Sequence, residues 1–157
     1  MTAITDAITR ARANSPFLAG LIDRNPDLMP MVDAGNFDAA LASALARSAD
    51  NVGTTLRKQR QGVALVTAIA DLSGAWDLTR ITHILSDFAD HALDAAIAAA
   101  IEERVPGAPN QGFAVIALGK HGGRELNYSS DIDPIFLFDP KTLPHRERDD
   151  VAEAAVR

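Results

Sequence analysis

Ala117-Leu-Gly-Lys-His-Gly-Gly-Arg-Glu-Leu-Asn-Tyr-Ser-Ser-Asp-Ile-Asp133 is the stretch on which the reading of the fold depends. Phe113 to Leu118, which leads into it, is a nearly continuous apolar run ended by Gly119, the pattern of a strand buried on both faces. Asp131 to Phe138, at its far end, is a second strand candidate. Lys120 to Ser130 between them is polar and reads as a loop with one helical turn. Strand alternation would set Asp131 and Asp133 on the same face, with Ile132 turned toward apolar packing.

Moving upstream, Val105-Pro-Gly-Ala-Pro-Asn-Gln-Gly112 is the clearest break, because its prolines and glycines deny both helix and ladder hydrogen bonds. Everything before it has helical periodicity. Ala3 to Ala13 is a helix stopped by Asn14, Ser15 and Pro16, and Pro16 opens a second through Leu21 and Ile22. Pro26 and Pro30 confine the next piece. Phe37 to Ala49 places Phe37, Leu41 and Leu45 on one stripe. Leu56 to Leu72 places Val63, Val66 and Ile69 on one side, and Arg57, Lys58 and Arg60 read as a solvated face. The last helix starts at an Asp77 or Thr79 cap, carries Ile81, Ile84, Leu85 and Phe88 on one face, and runs to about Glu103. The expected fold class is α+β: a helical module over 1–104, a linker over 105–112, and the first two strands of a catalytic domain over 113–157.

Composition narrows the function. With 157 residues, 47% hydrophobic and 23% charged, the chain has enough apolar content to fold and too little charge bias for disorder. A net charge of −6 argues against nucleic-acid backbones and anionic membrane surfaces as partners. No apolar run reaches the roughly 18 residues needed to span a bilayer. The absence of cysteine excludes thiolate chemistry and disulfides, so any metal is held by oxygen or imidazole. Together with an N-terminus lacking a compact apolar core, it gives a cytoplasmic expectation.

A bare Asp-x-Asp at a strand start is most often a turn cap, and a lone Gly-Gly an ordinary turn. Here they occur together. Two neighbouring carboxylates repel unless a cation lies between them, and Mg²⁺ prefers oxygen ligands completed by phosphate oxygens. Gly119 allows close backbone approach, Gly122 and Gly123 keep a turn clear so that successive amides can face an anion, and Lys120 and Arg124 add positive charge. His83, Asp87 and His91 fall at four-residue steps but read as a solvated helix face, and His121 as a solvent-exposed loop residue.

The order strand, Gly119-Lys120, ten residues, Asp131-Ile132-Asp133 resembles the signature of the DNA polymerase beta-like nucleotidyltransferases. The full string from Ala117 to Asp133 resembles the glutamine synthetase adenylyltransferase and adenylyl-removing family. Ser15 to Ala19, Arg24 to Leu28, Leu56-Arg57, Asp71-Leu72, Leu85-Ser86 and Ala89-Asp90 are similar to the family's N-terminal half in order. The wording Asn127-Tyr-Ser-Ser130, and its place near a starting Met, favour the adenylyl-removing copy.

The resemblance implies that Asp131 and Asp133 bind Mg²⁺, that Gly119, Lys120, Gly122, Gly123 and Arg124 hold phosphate, and that Ser130 orients the loop. It implies removal of AMP from a tyrosine of glutamine synthetase by phosphorolysis, releasing ADP. The partners would be glutamine synthetase, a nitrogen-signalling PII-type regulator, an adenine nucleotide and phosphate. Two departures stand out. Pro134 removes an amide just after Asp133, which suits a strand edge or an unpaired site. No later strand offers the superfamily's third carboxylate, and Asp139, Asp149 and Asp150 are poor substitutes, so the expectation is an incomplete, inactive fragment. The alternative is a helical interaction module that carries a truncated nucleotidyltransferase start and has no catalysis of its own.

Overall fold

The computed structural model of the chain describes residues 2–146. Six helices come first: α1 Ala3–Asn14, α2 Pro16–Arg24, α3 Met29–Asp33, α4 Phe37–Leu45, α5 Val52–Leu72 and α6 Leu78–Arg104. They are followed by strand β1 Phe113–Ala117, a single helical turn α7 Gly119–Gly122 and strand β2 Pro134–Phe138. This is the expected mostly helical α+β arrangement. The chain divides into two compact units between Phe88 and Ala89, so α6 contributes to each.

In the first unit, local chemistry sets the helix ends. The Thr2 side chain accepts the Thr5 amide at the start of α1. Ser15 closes α1 through its N–H to Ala11 and caps α2 by accepting the Leu18 amide at 3.2 Å, with Pro16 at the first helical position. Asp77 is the cap of α6, since its carboxylate accepts the Arg80 amide at 2.8 Å. Two boundaries differ from the sequence reading. Asn51 caps α5 by accepting the Thr54 amide, which starts that helix at Val52 and not at Leu56. α4 stops at Leu45 and not at Ala49, because Gln59 of α5 donates to the carbonyls of Leu45 and Arg47 and so satisfies the helix end there.

The core of this unit is built from Leu21, Leu28, Val32, Leu65, Val66 and Ile69, all buried, with Ile81 completing it. α4 buries Phe37, Ala40 and Ala44, whereas Leu45 is exposed, so the expected Phe37-Leu41-Leu45 stripe is displaced by one position. Small residues there let α5 come close: a Cβ on Gly62 would lie 2.6 Å from the Ala44 Cβ. Phe37 and Trp76 rings meet at 5.7 Å, and the Arg80 guanidinium lies 4.2 Å over Trp76 while pairing with Asp38. Arg57, Lys58 and Arg60 are exposed, as expected of a solvated face.

In the second unit, β1 and β2 pair antiparallel from Phe113↔Phe138 to Ala117↔Pro134. Phe113 and Phe136 share a face, their rings 5.8 Å apart. The expected burial of β1 on both faces is not found: Ala114 and Ile116 are exposed, and so is β2 from Ile135 to Phe138. Among the described residues the sheet has only these two strands, and along β1 the half-buried Phe113, Val115 and Ala117 alternate with the exposed Ala114 and Ile116. No helix among the described residues is long and apolar enough to cross a membrane.

Candidate functional site

The carboxyl end of β1 leads directly into the one helical turn expected within the loop. Gly119 has φ +56°, a left-handed conformation that glycine adopts without steric cost, and this redirects the chain out of the strand. The turn then closes tightly. Gly122 N–H donates to Leu118 at 3.1 Å, Gly123 N–H to Gly119 at 3.0 Å and Arg124 N–H to His121 at 3.0 Å. A Cβ on Gly122 would sit 2.4 Å from the Ala117 carbonyl oxygen, so only glycine fits there. At Gly123 the nearest atoms are at 3.5 Å and beyond and φ is −81°, so nothing steric demands glycine. The amides of Gly122 and Gly123, expected to face an anion, are thus occupied by carbonyls of the turn itself. The cations remain at its surface: Lys120 and Arg124 are exposed, and Arg124 is the one described non-glycine residue with positive φ, at 56°.

The next segment folds on its own side chains. Asn127 Oδ1 accepts the Ser129 amide, and Ser130 Oγ accepts the Asn127 amide, both at 3.0 Å. Ser130 therefore shapes the loop, and its hydroxyl is engaged in doing so. Asp131, Ile132 and Asp133 are exposed and precede β2, which begins only at Pro134. Ladder alternation thus does not organise the two carboxylates. β1 ends at Ala117, the partner of Pro134, and one further bond, Leu118 N–H to the Asp133 carbonyl at 3.3 Å, holds Asp133 next to the start of the turn. Pro134, lacking an N–H, occupies the first residue of the strand, where its loss is tolerated.

His121 departs from expectation. It is buried, and its Nε2 lies 2.8 Å from Asp90 Oδ1 of α6. The missed signal was the pair itself, which is separated by 31 residues and carries no local spacing pattern. His83, Asp87 and His91 are exposed, and no group of three or more His, Asp and Glu gathers among the described residues. Asp139 turns inward on its own loop, accepting the Lys141 amide and the Thr142 hydroxyl, which together hold its carboxyl below the usual carboxylate range. Asp149 and Asp150 lie outside the described residues.

A family model described as glutamate-ammonia ligase adenylyltransferase matches residues 5–156. The chain belongs to that family. It is similar to proteins named bifunctional glutamine synthetase adenylyltransferase/adenylyl-removing enzyme. It is 37% identical to that of Caulobacter vibrioides, over 92% of this chain and 17% of the relative. Identity to the Xanthobacter autotrophicus protein is 37% over 91% of this chain and 16% of the relative. For Rhizobium meliloti it is 32%, over 98% of this chain and 18% of the relative. The chain thus spans about a sixth of the length of the curated relatives it matches. No solved structure matches it at a significant level.

Proposed function

We propose that this segment of the adenylyltransferase family carries the metal- and phosphate-gripping part of a site that acts on glutamine synthetase, in the adenylyl-removing direction. The observation that carries the reading is the junction at Leu118 and Asp133, which brings the Asp131-x-Asp133 pair beside the Gly119–Arg124 turn. Glutamine synthetase as the substrate is supported by the printed names of the relatives. The direction is supported by the wording Asn127-Tyr-Ser-Ser130. A PII-type regulator as partner rests on the family resemblance, and a cytoplasmic location on the cysteine-free composition.

Mg²⁺ suits this donor set, because both exposed carboxylates are hard oxygen ligands and the nearby imidazole of His121 is committed to Asp90. Asp131 and Asp133 would hold the ion, which when bound would neutralise charge on the phosphoryl oxygens. Lys120 and Arg124 would draw in inorganic phosphate and offset the charge that accumulates on it. Gly119 and Gly123 leave the turn bare of side chains so that phosphate can approach, while Gly122 lets the turn close on the Ala117 carbonyl. A phosphate oxygen then bonds to the adenylyl phosphorus as the bond to the tyrosine oxygen breaks. The tyrosine oxygen leaves with its electron pair and regains a proton supplied by the attacking hydrogen phosphate, and ADP is released.

The test measures Mg-dependent ADP binding to the chain by calorimetry, in the native sequence, Asp131→Asn and Asp133→Asn. It also measures phosphorolysis of adenylylated glutamine synthetase by a full-length relative with the matching substitutions. Each variant is expected to lose turnover by about a hundredfold or more, since an amide cannot supply the anionic oxygen. Near-native rates and binding in either variant would remove that residue from the metal site. ADP binding that ignores both Mg²⁺ and the substitutions would favour a non-catalytic interaction module.

A further inference from the structure

Most of the loop between β1 and β2 is exposed, and two of its side chains are buried: Leu126, 4% accessible, and His121, 3%. Burial of Leu126 is non-directional, as apolar burial always is. The burial of His121 is directional. Its Nε2 lies 2.8 Å from Asp90 Oδ1, and the Asp90 side chain is itself 61% exposed, so an enclosed imidazole reaches out to a carboxylate standing at the surface of α6. A carboxylate only accepts, so Nε2–H is the donor in this bond. Nδ1 is buried and has no partner among the described residues. Leucine or phenylalanine at this position would bury as well without leaving a polar atom unmatched. What the imidazole adds is the bond to Asp90 and therefore an orientation.

The turn around His121 is closed by its own amide-to-carbonyl bonds, so Lys120, His121 and Arg124 move together. Whatever orients the imidazole orients the two flanking cations. We propose that His121 is a positioning residue: with Asp90 it locks the Gly119–Gly123 turn against α6 and so fixes where Lys120 and Arg124 present to a phosphate group. The inference rests on the reading of those two cations as phosphate-binding. Asp90 acts through the imidazole, whose ring it orients by accepting from Nε2–H.

The experiment uses the 157-residue chain in four forms: native, Asp90→Ala, Asp90→Asn and His121→Phe. Imidazole N–H spectra read whether the His121 Nε2–H is held, and titration with Mg-ADP and with inorganic phosphate, followed at the amides of Gly119 to Arg124, reads the affinity. The native chain should show one slowly exchanging Nε2–H signal, the mark of a held imidazole. Asp90→Ala should lose that signal to solvent exchange and weaken Mg-ADP and phosphate about tenfold. Asp90→Asn, whose amide oxygen still accepts from Nε2–H, should stay within about threefold of native affinity. His121→Phe should weaken binding as Asp90→Ala does, while the helical melt of the first unit is unchanged. Native affinity in Asp90→Ala, or a rapidly exchanging Nε2–H in the native chain, would overturn the positioning role and leave the phosphate site standing. A native chain that binds neither probe would remove the phosphate site, and the positioning role with it.

Discussion

Arg47 ties three segments of the first unit together. One of its Nη atoms donates to Asn25 Oδ1 at 2.5 Å and to the Lys58 carbonyl at 3.1 Å, and the other to both Asp27 oxygens at 2.9 Å. Asn25 is itself buried and donates to the Leu21 carbonyl at 2.6 Å, so removing the guanidinium strands a buried acceptor. Arg47→Ala should therefore lower stability by about 2–3 kcal/mol, read from chemical denaturation. The hydrogen bond from Arg47 also holds the Asp27 carboxyl below its usual 3.8. A depressed folded-state value means the ion pair stabilises in full above that ordinary value and fades as pH falls below it toward the folded one. Because the Asp27 side chain is 59% exposed, the pH-dependent part should be under about 1 kcal/mol. Denaturation at pH 6 and pH 3 in the native chain and in Asp27→Asn measures it: the two should converge at the lower pH. At the candidate site the two adjoining glycines should behave differently. Gly122→Ala should disrupt the turn, since its Cβ meets a backbone carbonyl, whereas Gly123→Ala should leave the amide spectrum of residues 119–124 essentially native.

At the scale of elements, the apolar stripe of Phe37, Val66, Ile69 and Ile81 is satisfied within the first unit. A chain ending at residue 104 should thus show a cooperative helical melt by circular dichroism, and a random-coil spectrum would show that the helices depend on the strands. The exposed Phe136 and Leu137 of β2 make the opposite case. Among the described residues this two-stranded ladder has open edges and an exposed apolar face, so the native chain should self-associate, and Leu137→Lys should shift size-exclusion elution toward monomer. The helices were legible because caps and periodicity are local: Ser15, Pro16 and Asp77 can be read without knowing what packs on them. The end of α4 was not, because Gln59, fourteen residues on from Leu45, terminates it. Nor was the burial of His121, whose partner lies on another element. The Asp131-x-Asp133 motif was visible as chemistry, but its setting was not: β1 ends at Ala117, so pairing stops before the carboxylates and a single backbone bond replaces ladder geometry.

For the molecule as a whole, the decisive quantity is the number of carboxylates that converge. Two neighbours are present at Asp131 and Asp133, and among the described residues no third acidic or imidazole group joins them. Two oxygen donors leave most of the preferred octahedral shell to water and phosphate, which gives weak retention of the ion. The 157-residue chain incubated with adenylylated glutamine synthetase, Mg²⁺ and phosphate should therefore release no measurable ADP. Turnover by a monomeric sample would show that two carboxylates and two cations suffice.

The contrast between the two adjacent glycines has a practical use. The chain contains no cysteine, so a single one placed anywhere would be the sole thiol available to a maleimide dye. Gly123 is exposed, its φ suits any L-residue, and a Cβ there would meet nothing closer than 3.5 Å. Gly123→Cys offers a fluorescent reporter seated on the turn between Lys120 and Arg124, with no competing label elsewhere to subtract.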